Sequence, residues 1–250
     1  GTDTLNAYVQ GSAVNGYFTI SQKNNGDGTY TVSVKIDEET PGGTYTLFVH
    51  ELGNTSVQAS ATITVTGLPD AAEVNGKQYK SLPRALNAAR DGDTVKLLAD
   101  HVTDADALNA LGENFTFEQY ASIVPVVTKT LTLDLNHKTV DYLEVGFTET
   151  NEETQKKETL ETGNLTVTGE GAYGRISNLM FMAGALDIQS GEIGGSGCAG
   201  LFCDANSGSV TVSNGTVYGL TVFEGASVTV NGGSKHAGEW VVASGATLNI

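Results

Sequence analysis

The sequence predicts an all-β chain in two parts, a small antiparallel β-sandwich and then the stacked coils of a parallel β-helix behind a short capping helix. Three observations predict it. Glycine is abundant (31 of 250 residues) while only 39% of residues are hydrophobic. That composition suits short strands and many turns, and it disfavours helix interiors, where each Gly costs about 1 kcal/mol. Next, apolar and polar residues alternate through the first part, with turn signals at regular intervals. Finally, a strand motif returns roughly every 20 residues in the second half, the arithmetic of a stacked repeat.

The sandwich spans residues 1–68. Its strand runs are 17–20, 30–36, 44–49 and 57–66, separated by Asn24-Asn25-Gly26-Asp27-Gly28, Pro41-Gly42-Gly43 and Gly53-Asn54. Period-two alternation buries one face and wets the other, and short regular turns imply hairpins. The phrase Pro41-Gly42-Gly43-Thr44-Tyr45-Thr46-Leu47, followed by Ala61-Thr62-Ile63-Thr64-Val65, resembles the closing strands of bacterial Ig-like repeats. The resemblance covers about 50 residues and implies an Ig-like module, usually a spacer in long surface proteins. Asp27 reads as a turn residue, since an EF-type calcium loop needs more oxygen ligands at fixed offsets.

Leu68-Pro69-Asp70 breaks the strand pattern, so the second domain is placed at 69–250. A helix is expected at about 82–90: Ser81 can cap it, Pro83 suits its first turn, and Leu82, Leu86 and Ala89 share one face. Asp91-Gly92-Asp93 then turns the chain into Thr94-Val95-Lys96-Leu97-Leu98. This stretch resembles the opening of pectate-lyase-like right-handed β-helices in bacterial, Gram-positive-type surface proteins. There a short helix covers the first coil. A lid is needed because an open ring of apolar side chains and bare strand edges invites aggregation.

The repeat motifs start at Leu165, Leu186, Val210, Val228 and Leu248, at spacings of 21, 24, 18 and 20 residues. A second strand recurs at Leu201-Phe202-Cys203, Leu220-Thr221-Val222 and Trp240-Val241-Val242. Stacking at about 4.8 Å turns the motifs into columns. The expected inward columns are Leu165, Leu186, Val210, Val228, Leu248 and Val167, Ile188, Val212, Val230, Ile250. Leu131-Thr132-Leu133-Asp134-Leu135-Asn136-His137-Lys138-Thr139-Val140 reads as an earlier rung; it resembles the same family's phrasing, with His137 where Gly is usual. Two insertions interrupt the rhythm. Residues 104–127 are expected to add helix against the side of the coils. The charge-dense 148–162 is expected to be an excursion loop. Ile250 falls inside a strand pattern, so the chain reads as a truncated excerpt.

Charge and composition exclude several classes. With 13 basic and 29 acidic residues the formal charge is −16, which argues against nucleic acid and anionic membrane as partners. No apolar run approaches the roughly 20 residues of a spanning helix. Cys198 and Cys203 cannot make a disulfide framework; the choice lies between one bridge and two small buried thiols, the second being favoured.

Catalysis on such a fold needs clustered carboxylates on an outward face, paired at roughly 5–9.5 Å in hydrolases. The expected outward columns are Thr166, Asp187, Thr211, Thr229, Asn249 and Thr168, Gln189, Ser213, Asn231, in which only Asp187 is charged. Asp134, Asp141, Glu144, Arg175 and Asp204 are scattered alternatives. His50, His101, His137 and His236 lack metal spacing. No catalytic, cofactor or metal residue is therefore assigned. Asp187, Phe202, Tyr218 and Trp240 are the candidate ligand contacts, because aromatic side chains at rung corners can stack on sugars or anchor a protein. The expectation is a non-enzymatic, adhesin-like, monomeric fragment displayed outside the cell. Its expected ligand is a host glycan or a host protein such as immunoglobulin; a polysaccharide lyase or glycosidase, or a plain spacer, are the alternatives.

Overall fold

A computed structural model describes residues 5–10, 16–150, 157–169, 174–195, 200–204, 208–231 and 238–250. Among them are 24 strands and three short helices, so the chain is all-β. Its contacts divide it between Pro69 and Asp70 into two compact units.

In the first unit, Leu5–Gln10, Gly43–Glu51 and Asn54–Val65 form an antiparallel sheet. Phe18–Asn24 and Tyr30–Ile36 form a separate hairpin. Its turn spends Asp27 internally, since Asp27 Oδ1 accepts the Thr29 amide at 3.0 Å. Tyr45 is the buried anchor. Its ring meets Phe18 edge-on at 4.9 Å and its hydroxyl donates to the Pro41 carbonyl at 2.9 Å.

The second unit begins with the hairpin Ala72–Val74 and Lys77–Tyr79, which pairs antiparallel with Thr94–Leu97. Helix α1 (Leu82–Ala88) follows, with Ser81 Oγ accepting the Arg84 amide at 3.4 Å. It buries Leu82, Pro83, Ala85 and Leu86. The carboxylates of the following turn are engaged by the protein's own amides, backbone and the Asn75 side chain. Asp91 takes the Thr130 amide at 2.8 Å and Asp93 the Arg90 amide at 2.8 Å.

The far end of α1 depends on Lys129, which sequence reasoning passed over. Its Nζ donates to the carbonyls of Leu86, Asn87 and Ala89 at 3.4, 2.8 and 2.7 Å. Those carbonyls are the orphan acceptors of a helix C-terminus, where a cation is also favoured by the helix dipole. Lys129→Met keeps the stem and removes the donors. It is expected to cost about 1–2 kcal/mol, read as a lower urea midpoint with unchanged slope.

From Thr94 onward the chain alternates between two parallel ladders. The first holds Thr94–Leu97, Thr130–Asp134, Gly163–Thr168, Gly184–Ile188, Gly208–Val212, Ser227–Asn231 and Thr247–Asn249. The second holds Val126–Val127, Thr139–Val145, Arg175–Phe181, Glu192–Ile193 with Gly200–Cys203, Thr216–Val217 with Leu220–Val222, and Trp240–Val242. Leu133, Val167, Ile188 and Val212 of the first ladder share one core with Leu143, Leu179, Leu201 and Leu220 of the second. Each such side chain is worth roughly 1.5–3 kcal/mol when fully buried.

Two details differ from the sequence expectation, and a third explains one of its features. Val210 pairs with Val230, and Val228 with Leu248, so the column slips by two residues at that rung. Side chains repeat every second residue, so a slip of two keeps the same face inward. Part of the loop expected at 148–162 is strand: Phe147–Thr150 and Lys157–Glu161 pair as an antiparallel ribbon, favoured by its β-branched threonines. The residues between those strands lie outside the described set. Asn136 and His137 take positive φ (44° and 62°), which explains why a Gly would suit position 137.

In the 104–127 insertion, α2 (Ala105–Ala110) and α3 (Phe117–Ala121) are capped by Asp104 and Thr116. They build a second, smaller core of Ala121, Val124, Val126 and Phe147.

Candidate functional site

The outward face of the first ladder is a run of short polar side chains. Thr94, Thr132, Thr166, Asp187 and Thr211 stand in register, one per strand. The adjacent column runs Thr130, Asn164, Ala185, Ser209, Thr229 and Asn249. Neighbouring rungs are cross-linked through it, with Asn164 donating to Thr130 at 3.2 Å and Asn249 to Thr229 at 3.4 Å. Asp187 is bound from two sides, by Gln189 Nε2 at 2.7 Å and by Ser213 Oγ at 3.1 Å.

The four candidate contact residues do not converge. Asp187 lies in the first ladder. Phe202 lies in the second, in register with Met180 and Thr221, and stacks on Phe223 at 6.1 Å. The Tyr218 hydroxyl donates to Glu192 at 3.2 Å; the same carboxylate pairs with Arg175 at 2.9 Å, so Arg175 and Tyr218 share one structural network. Trp240 is in register with Leu220 and packs, partly buried, against the main core.

The other carboxylates are likewise engaged separately. Asp134 accepts the Asn136 amide at 3.0 Å, and Asp141 holds the Thr103 amide and hydroxyl at 2.9 and 3.1 Å. Asp204 pairs with Lys157 of the ribbon. His101 is partly buried near Asp141; burial lowers its pKa and keeps it neutral, with the Asp141 charge opposing. Cys203 is a free buried thiol whose pKa burial pushes up to about 12, which leaves it unreactive. Cys198 and His236 lie outside the described residues. Among the described residues no cluster of His, Cys, Asp and Glu could hold a metal ion, and no helix is long and apolar enough to cross a membrane.

Glu144 is the exception to the solvated pattern. Alternation along Thr139–Val145 turns it away from the main core, but α3 covers it and only 5% of it is exposed. Tyr120 from α3 and Tyr142 from its own strand both donate to Oε1, at 2.7 and 2.6 Å. Oε2 is buried without a hydrogen-bond partner among the described residues. Burial raises the pKa of this carboxyl; the two phenol donors pull it down but do not overcome that cost. Both phenols are themselves held above their ordinary range, by burial first and then by the Glu144 charge. A carboxyl closed off in this way has no open face for a substrate, and the bond it accepts from Tyr120 ties α3 to the strand Thr139–Val145.

No protein-family model matches the chain, and no curated protein and no solved structure shows significant similarity to it.

Proposed function

We propose that the chain is a non-catalytic, adhesin-like segment of a bacterial cell-surface protein. In this reading an Ig-like module precedes a right-handed parallel β-helix that binds a host glycan or host protein, immunoglobulin among them. The alternation of the chain between two parallel ladders around one core supports the β-helix. Right-handedness follows from the strong preference of parallel crossovers. The Tyr45–Pro41 bond is the kind of tyrosine corner found in Ig-like sandwiches.

The observation that carries the reading is the outward column Thr94, Thr132, Thr166, Asp187 and Thr211, with one carboxylate held by two neighbours. Such a column supplies hydrogen-bonding surface without the paired or metal-binding carboxylates that sugar cleavage uses.

The test is a combined glycan and host-protein array, run beside incubation with pectin-like and mucin glycans. Saturable binding with no new reducing ends or unsaturated products is the expected result. Turnover of either glycan would overturn it in favour of an enzyme, and silence on both arrays would leave a spacer.

A further inference from the structure

A cleft of about 540 Å³ opens where the ribbon 147–161 stands beside the first ladder. Its lining includes Thr159, Thr162 and Ser209, which bring hydroxyls, Met182, which brings a thioether, and Gly184 and Gly208. The glycines follow from stacking. Gly163, Gly184 and Gly208 pair in one column, and a Cβ on Gly184 would lie 1.9 Å from the Gly163 carbonyl oxygen. Glycine is therefore fixed there for the fold, and backbone is left uncovered as a consequence.

The ribbon is tied down at the same place. Lys157 pairs with Asp204, and Thr159, two residues further along the strand, faces the same way as Lys157. The ion pair neutralises itself, and the described residues that line the cleft are uncharged. Its size falls within the roughly 300–1,000 Å³ of small-molecule sites. Beyond Asp204, and on the same strand face, Phe202 stacks on Phe223, which is 36% exposed. A ring face there can meet the C–H face of a sugar.

We infer that this cleft is a binding subsite for a neutral saccharide of two or three residues. Hydroxyls that both donate and accept suit a ligand whose own groups are hydroxyls. A formal charge of −16 and a lining that holds no cation among the described residues disfavour uronic or sulfated sugars. The inference rests on the glycan-binding reading above and adds its location and ligand class.

The probes are maltotriose, cellotriose and chitotriose, with a sulfated and a uronic oligosaccharide of equal length, titrated into the isotope-labelled chain. Amide shifts at Thr159, Thr162 and Ser209 with at least one neutral sugar are expected. Thr159→Val with Thr162→Val removes two hydroxyls at constant shape and should weaken binding about tenfold. Ser209→Tyr should fill the cleft and abolish binding. All three positions are exposed, so an unchanged melting temperature separates lost binding from lost folding. Glycan binding that survives both variants would overturn the cleft and leave the adhesin reading standing, as would binding to host proteins alone. Tighter binding of the charged sugars would overturn the neutral class. Silence in the titration and on both arrays would overturn the cleft together with the adhesin reading.

Discussion

Replacing Gly184 with alanine is expected to cost the second unit about 3–5 kcal/mol, combining backbone strain with overpacking, and to lower its melting temperature by roughly 10 °C. Two independent effects add at this residue. Its φ is +113°, a conformation that an L side chain adopts only with strain. The added methyl would also meet the Gly163 carbonyl oxygen at 1.9 Å and its carbonyl carbon at 2.8 Å. Both obstacles are backbone, so no rotamer change relieves them, and adjacent strands of the ladder would have to separate. Gly225→Ala is the internal control. Gly225 also has positive φ, at +78°, but nothing lies within 4 Å of its Cβ position. It should lose only about 1 kcal/mol, the strain component alone. Paired thermal melts of the two variants decide the matter. Equal losses would mean that close stacking at Gly184 contributes nothing.

The contrast between these two glycines also shows what the sequence can and cannot reveal. Both have positive φ, and only the ladder tells which one has a carbonyl pressed against it. The inward columns were legible up to Val230 because aliphatic residues recur at alternate positions along the first ladder, whereas Ile250, which the same pattern places inward, is 84% exposed. The capping helix was legible because Ser81 and Pro83 mark a helix start locally. The slip at Val228 was not legible. Val228-Thr229-Val230 satisfies the inward pattern equally well in either register, and the choice between them depends on the connection after Val212. The ribbon at 147–161 was hidden by its charge, since solvated glutamates and lysines fit a loop and an exposed strand alike. Lys129 and Glu144 were hidden for a different reason. Each acts on a partner tens of residues away, the end of α1 in one case and α3 in the other, and single-chain periodicity carries no information about such meetings.

Glu144 gives the second large effect, and it runs opposite to the usual carboxylate rule. Its folded pKa is raised by burial above the ordinary value that it keeps in the unfolded chain, so between the two values the folded chain holds a proton that the unfolded chain has released. Its contribution is therefore fully present below about pH 4.5 and is lost as pH rises through the folded pKa, with a slope of up to about 1.4 kcal/mol per pH unit. The paired carboxylates act in the other direction. Asp93, for example, has a lowered pKa, chiefly through its bond from Asn75, and its contribution falls away on acidification. Comparing wild type with Glu144→Gln at each pH cancels those other groups. The glutamine oxygen can still accept from Tyr120 and Tyr142 but has no charge to gain. The expected outcome is near-equal stability at pH 4, with the variant gaining on wild type as pH rises towards the folded pKa of Glu144 and the difference level above it. Glu144→Ala should instead lose about 2–4 kcal/mol at acid pH, because it takes the acceptor from two partly buried phenols and opens a cavity. Hydrogen exchange of residues 105–121 locates the effect: protection there should fall with rising pH in wild type and stay level in Glu144→Gln. A stability difference between the two that is flat from pH 4 to 8 would mean that Glu144 is ionised throughout and that α3 is held by its apolar contacts alone.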